Sequence, residues 1–95
     1  MPVHAMLYSR TLPGGGFVAI DATPVELAGA MCHRARLWVE RRADVTRRTG
    51  HAPPVIAQCT GDDPEVAATE LRAIAADNVR LALAMRQWAQ ARRAS

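Results

Sequence analysis

The feature that most constrains the fold is an unbroken apolar repeat in the last third of the chain. Six positions recur at alternating intervals of three and four residues: Leu71, Ile74, Asn78, Leu81, Met85 and Trp88. Residues three and four apart lie on one side of an α-helix, so the six form one stripe. The repeat predicts a single long helix over residues 62–93. Asp62-Asp63-Pro64 supplies an acidic cap with proline in the first turn, and Arg92 and Arg93 suit the C-terminal end.

The stripe also predicts association. Asn78 is its polar member, and an asparagine in an apolar seam is costly unless it pairs, usually with the same residue of a second helix. A second apolar line on the helix contains Ala75, Ala76, Val79 and Leu83. A helix that is apolar on two sides covers two surfaces, so we expect one side to pack on the chain's own sheet and the other on a second copy. The sequence thus predicts a homodimer, formed either through this helix or through the open face of the sheet. Packing of the whole stripe on the chain's own sheet is the alternative.

The beginning of the chain has the pattern of a β-hairpin. Two short apolar-rich runs, residues 3–10 and 16–22, flank Leu12-Pro13-Gly14-Gly15-Gly16. Proline and glycine supply turn geometry, so the runs predict two strands joined by a tight turn. A phosphate-binding loop would need Gly-Lys followed by Ser or Thr at the start of a helix, and these residues do not follow.

The segment 23–42 carries two conflicting signals. Thr23-Pro24-Val25-Glu26 has the form of a helix capping box, and apolar residues at helical spacing follow it. Residues 34–41 instead alternate between apolar and polar side chains, which is typical of a strand with one wet face. We expect a helical turn or loop over 23–31 and a strand over 33–42. One continuous helix is the alternative.

The remaining segments complete the predicted fold. Residues 43–53 form a polar loop, and Pro53-Pro54 precedes a short apolar strand over 55–59. The predicted class is α+β, with a four-stranded antiparallel β-meander of two hairpins over residues 3–60 packed by the one long C-terminal helix. The 95 residues make a single small domain, 1–95, whose limited core would gain stability from an additional interface.

Composition and cysteine usage indicate the cellular setting of the protein but say little about its function. All twelve basic residues are arginine, which indicates a GC-rich and, we expect, bacterial genome, and the formal net charge is a mild +3. The two cysteines, Cys32 and Cys59, come without a recognisable secretory signal. No apolar run approaches the length of a membrane span. We therefore expect a cytoplasmic protein with reduced thiols and no membrane association.

No arrangement of residues predicts a catalytic, metal or cofactor site. Cys32, His33, His51 and Cys59 lack the short spacings of zinc sites, and adjacent residues of a strand point to opposite faces. No serine or cysteine nucleophile can be grouped with a base by any local signature. The function we favour is a small non-enzymatic interaction or regulatory module that forms a homodimer and binds a protein partner, without a metal or cofactor.

A nucleic-acid-binding module is the first alternative. Residues 34–48 contain six arginines against two acidic residues. If the alternation at 34–41 marks a strand, Trp38 lies on the face of the sheet opposite that of Leu37 and Val39. Tyr8 and Phe17 can lie on the same face as Trp38. Aromatic rings among arginines on an open sheet can stack bases and hold phosphates. The candidate contacts are Tyr8, Phe17, Arg34, Arg36, Trp38, Arg41, Arg42, Arg47 and Arg48.

An enzyme is the second alternative. The chain opens Met1-Pro2-Val3-His4, and removal of the methionine would leave a secondary amine at Pro2. This opening is similar to the strand-like Met-Pro-Val start of proline tautomerases. The resemblance, which covers only this opening, implies Pro2 as general base and Arg10 or Arg36 as the holder of an anionic substrate.

Overall fold

The computed structural model describes residues 5–40 and 54–94, which form four strands followed by two helices. The elements are β1 (Ala5–Thr11), β2 (Phe17–Leu27), β3 (Ala30–Glu40), β4 (Val55–Gly61), α1 (Pro64–Ala75) and α2 (Asn78–Ala94). The strands form one antiparallel sheet in the order β1-β2-β3-β4. The predicted α+β class and the four-stranded meander are therefore confirmed. The predicted loop over 43–53 and the ends of the predicted strands at residues 3, 4, 41 and 42 lie outside the described residues.

The β2–β3 hairpin replaces the helical turn that we expected over residues 23–31, and that expectation was wrong. Leu27 pairs with Ala30, so Ala28 and Gly29 alone connect the two strands. Their φ angles are 51° and 81°. A two-residue type I′ turn requires positive φ at both positions, and glycine adopts such angles without steric cost. The sequence did not indicate this turn because Gly29 follows an alanine, whereas type I′ turns usually have asparagine or aspartate at that position.

The apparent capping box at Thr23-Pro24-Val25-Glu26 is part of β2 and begins no helix. A proline removes one hydrogen-bond donor from a strand, so it is best tolerated where a neighbouring strand has ended. The described pairing of β1 with β2 ends at Ala22, and Pro24 lies two residues beyond it. Pairing of β3 with β4 likewise ends at His33. The β2–β3 hairpin therefore extends past the described parts of its neighbours as a two-stranded arm.

The predicted single C-terminal helix is two helices, with a break at Ala76 and Asp77. The Asp77 carboxylate accepts hydrogen bonds from the backbone N–H groups of Val79 at 2.9 Å and Arg80 at 3.3 Å, so it caps the start of α2. Asp63 caps α1 in the same way. The apolar spacing runs on across the break, which is why periodicity alone predicted one helix.

The core lies between one face of the sheet and the helices, and its side chains are small. α1 crosses the sheet, and α2 packs against α1 and β4. Five of the eleven residues in the described buried cluster are alanine. The cluster is Val18, Ile20, Ala22, Ala35, Leu37, Val39, Ala67, Ala68, Leu71, Ala75 and Leu81. Leu81 is the buried residue that α2 contributes to it.

The alanine-rich side of α1 lets the helix approach the sheet closely at the end of β4. A Cβ atom placed on Gly61 would lie 2.7 Å from the backbone nitrogen of Ala67, so only glycine fits this position. Neither described helix is long and apolar enough to cross a membrane.

Candidate interaction surface

The two faces of the sheet are distinguished by the pairing of β2 with β3. Ile20 pairs with Leu37 on the face that α1 covers, whereas Ala19 pairs with Trp38 on the opposite face. We call this opposite face, which neither α1 nor α2 covers, the open face. The predicted alternation of residues 34–40 is confirmed. The open face comprises Met6, Ser9 and Thr11 of β1, Phe17, Ala19, Asp21, Thr23, Val25 and Leu27 of β2, Ala30, Cys32, Arg34, Arg36, Trp38 and Glu40 of β3, and Val55, Gln58 and Thr60 of β4.

An aromatic pair occupies one end of the open face. The ring centroids of Phe17 and Trp38 are 5.4 Å apart with an interplanar angle of 75°, an edge-to-face arrangement that aromatic rings favour. Both residues remain half-buried. The indole N–H of Trp38 is itself buried and has no hydrogen-bond acceptor in the described part of the chain. Met6 on β1 adds an apolar side chain that is 58% exposed.

Charges on the open face are balanced. Arg36 donates two hydrogen bonds to the carboxylate of Asp21, from Nε to Oδ1 and from Nη2 to Oδ2, each at 3.2 Å. The two residues are direct cross-strand neighbours. Arg34 and Glu40 are the other charged residues that β2 and β3 place on this face. The described part of the face is therefore neutral overall, although the sequence around it is rich in arginine.

The apolar character of the open face continues along the arm of the β2–β3 hairpin. Val25 pairs with Cys32 and Leu27 with Ala30, and all four lie on the same side of the arm as Trp38. Leu27 and Ala30 are exposed. Along β2 and β3 the open face thus carries apolar residues at both ends, and Arg36, Asp21, Thr23 and Arg34 separate them near its centre.

The candidate nucleic-acid contacts are divided between the two faces. Arg34 and Arg36 lie beside Phe17 and Trp38 on the open face. Tyr8 does not, because it pairs with Ile20 on the helix-covered face and packs against the core, which corrects the expected grouping of three rings. Arg41, Arg42, Arg47 and Arg48 lie outside the described residues.

The predicted helix seam is occupied by the chain itself. Leu71 and Leu81 are buried in the core, and Ile74 and Met85 pack against it. Trp88 is half-buried, with the Arg92 guanidinium 4.8 Å from the centre of its ring. These side chains therefore support the alternative prediction, in which the stripe faces the chain's own sheet.

Asn78 has a partner within its own chain. It is exposed at the start of α2, where its Oδ1 accepts a hydrogen bond from Nη2 of Arg10. Arg10 also donates from Nε to the carbonyl oxygen of Ala75, at 2.8 Å. One arginine on β1 thus holds the end of α1 and the beginning of α2. Sequence reasoning missed this role, because a contact between positions so far apart leaves no periodic signal.

The residues proposed for enzyme chemistry are engaged elsewhere or lie outside the described residues. Arg10 and Arg36, the expected anion holders, bind the helix junction and Asp21 respectively. Pro2 and His51 are not among the described residues. Within residues 5–40 and 54–94, no three His, Cys, Asp or Glu side chains are grouped so that they could hold a metal ion.

In comparisons with known proteins, the chain matches no family model, no curated protein and no solved structure.

Proposed function

We propose that the chain is a small non-enzymatic interaction module that forms a homodimer by packing its open face against the same face of a second copy. The observation that carries this proposal is the position of the large aromatic rings. Phe17 and Trp38 lie on the open face, while five of the eleven residues in the described buried cluster beneath the helices are alanine. A small domain ordinarily uses such rings in its core, because each can bury roughly 150–250 Å².

The dimensions of the open face suit a dimer interface. Its strands are 7–11 residues long. With strands about 4.8 Å apart and a rise of about 3.3 Å per residue, the four strands and the arm cover roughly 600 Å² in projection. A standard interface buries about 800 Å² of accessible surface on each partner. Side-chain relief increases the accessible area above the projected area, so the two values are compatible.

Charge balance favours a second copy over a polyanion. An interface that repeats under two-fold symmetry places the same patch on both sides, so a neutral patch with both signs of charge can be self-complementary. Two sheets packed in this way would form a four-layer assembly with the helices outside.

Two exposed methionines give a matched test. Met6 is 58% exposed on the open face, and Met31 is 67% exposed on the opposite side of the β2–β3 arm. Met6→Glu places a charge within the proposed interface, whereas Met31→Glu makes the same change away from it. We expect light scattering to give a dimer mass for the unmodified chain and for Met31→Glu, and a monomer mass for Met6→Glu.

Circular dichroism provides the control for folding, since both methionines are exposed and neither contributes to the described core. A dimer that survives Met6→Glu but dissociates with Met31→Glu would place the interface elsewhere. A monomer at high micromolar concentration for the unmodified chain would refute the dimer.

Nucleic-acid binding is the second candidate, because Arg34 and Arg36 lie on the same face as Phe17 and Trp38. Fluorescence anisotropy with a labelled single-stranded oligonucleotide tests it. Binding through these residues must weaken steeply with salt and must be reduced by Arg34→Gln. The neutral charge of the described face leads us to expect no such binding at physiological salt.

A further inference from the structure

The break between the helices separates charges that a single helix would have mixed. The sequence 62–93 contains five acidic residues and five arginines. Residues 62–75, which include α1, carry four acidic residues and one arginine. The helix α2 carries four arginines, Arg80, Arg86, Arg92 and Arg93, and no acidic residue. The structure therefore holds a segment of net negative charge, residues 62–75, next to a basic helix.

Each helix also turns exposed apolar side chains away from the core. On α1, Val66 is 57% exposed, and Thr69 and Ala73 lie exposed on the same outward side. On α2, Val79 is 78% exposed and Leu83 is 51% exposed. Residues four apart lie together on a helix, so Val79 and Leu83 form one small apolar patch.

The charged residues flank these apolar patches. Glu70 is exposed on α1 one turn after Val66, and Arg86 is exposed on α2 one turn after Leu83. An amphipathic helix can lay its apolar residues against a partner surface, and flanking charges of one sign favour a partner of opposite charge. On the outward side of α1, Glu70 has that opposite charge, whereas Glu65 is paired with Arg72 of the same helix.

We propose that the outward side of α2 packs against the outward side of α1 from a second copy of the chain. The small side chains of Thr69 and Ala73 allow two helices to approach at the 8–10 Å between axes that is typical of helix pairs. The Arg86 side chain of one copy then meets Glu70 of the other, and Val79 and Leu83 cover Val66. This contact is independent of the open-face dimer, because it uses the other side of the molecule.

A nucleic acid or a membrane would account for fewer features of the outward side of α2 than a second copy does. A nucleic acid would neutralise the arginines but leave Val79 and Leu83 in water. A membrane-bound helix needs a broad apolar side, and on α2 the large residues Leu81, Met85 and Trp88 face inward or are half-buried. A second copy satisfies both the charge and the apolar patch with surfaces that the chain itself carries.

The test uses Met6→Glu chains, in which the proposed open-face dimer is removed. If that dimer does not exist, this variant behaves as the unmodified chain does, and the test of the helix contact is unchanged. Sedimentation equilibrium at low salt should show self-association, which should weaken at about 1 M salt because the Debye length falls to about 3 Å. Adding Arg86→Glu or Glu70→Arg should raise the dissociation constant at least about tenfold, because like charges then face each other.

The decisive experiment exchanges the two charges. Chains carrying both Arg86→Glu and Glu70→Arg should associate again, as should an equimolar mixture of the two single variants. Glu26→Arg is the matched control, since it makes the same charge change at an exposed site on the β2–β3 arm and should leave association unaltered.

Three results would overturn the proposal: association that does not respond to salt, single variants that associate as the parent does, or a double variant that fails to recover. Binding of a short DNA duplex that Arg86→Glu abolishes, in chains that show no self-association, would replace the second copy with a polyanion. Retention on vesicles containing anionic lipid, without self-association, would replace it with a membrane surface.

Discussion

The two faces of this sheet are built differently, although the same strands supply both. The helix-covered face carries Val18, Ile20 and Leu37 against the alanines of α1, and these side chains are fully buried. The open face carries the larger rings of Phe17 and Trp38, which are half-buried. The helix-covered face, against which Tyr8 also packs from β1, provides stability within one chain. Phe17 and Trp38 instead lie on the face where a second chain can bury them.

The largest effect that we expect comes from truncating the helix-covered side. Leu71 is buried at the centre of the α1 contact. Leu71→Ala should lower the free energy of unfolding by about 2–5 kcal/mol, because it leaves a cavity between helix and sheet. Urea denaturation measures the change. Leu83→Ala makes the same substitution at an exposed site, and in protein dilute enough to be monomeric it should alter stability by about 0.5 kcal/mol or less. Equal losses for the two variants would contradict the described packing of the helices.

Arg10 tests how the helices are fixed to the helix-covered face. Arg10→Ala removes the hydrogen bonds to the Ala75 carbonyl and to Asn78, and should cost about 1.5–3 kcal/mol, as is typical of hydrogen bonds from a charged group. Arg10→Lys should recover only part of the loss, since an ammonium group cannot reproduce the forked geometry of a guanidinium. Thermal unfolding followed by circular dichroism provides the comparison. A neutral effect of Arg10→Ala would show that the helix junction is held by other contacts.

Gly61 tests the close approach of the two layers. Gly61→Ala would place a methyl group 2.7 Å from the Ala67 backbone nitrogen, and we expect a loss of about 1–3 kcal/mol as α1 is displaced from β4. Thr60→Ala changes the exposed neighbouring residue and serves as the control. Unfolding of Gly61→Ala at the same denaturant concentration as the unmodified chain would mean that the layers are not tightly apposed.

The smallest effect on the single chain should come from the open face. The Arg36–Asp21 pair lies near the surface, so Arg36→Gln should change the free energy of unfolding of dilute protein by less than about 1 kcal/mol. The same substitution lies at the centre of the proposed interface and should shift the monomer–dimer equilibrium more strongly than it shifts unfolding. Sedimentation velocity over a concentration series separates the two quantities. An unchanged equilibrium would remove this ion pair from the interface.

The sequence predicted the features that depend on local pattern. Alternation at residues 34–40 correctly assigned the two faces of β3, and the glycine run after Pro13 correctly marked the first hairpin. The prediction from sequence failed where pairing between strands overrode a local signal. Thr23-Pro24-Val25-Glu26 resembles a helix start, but pairing with β3 holds it extended.

The helix break and the role of Arg10 could not be found from periodicity. The apolar spacing is continuous across Asp77, and only its capping side chain reveals the new start. Arg10 acts on Ala75 and Asn78, which no local pattern connects to it. The position of Tyr8 was also missed, because a shift in the pairing of β1 between Met6 and Tyr8 changes which face the following residues share.

The most direct test of the open-face dimer compares the two tryptophans of the unmodified chain. Trp38 lies on the open face and Trp88 on α2, and both are half-buried in one chain. Hydroxyl-radical footprinting with mass spectrometry measures the oxidation rate of each at increasing protein concentration. We predict that Trp38 becomes protected as the mass rises to that of a dimer, while the oxidation rate of Trp88 stays constant. Protection of Trp88 alone, or unchanged oxidation of Trp38 in a sample that is dimeric by mass, would contradict the account.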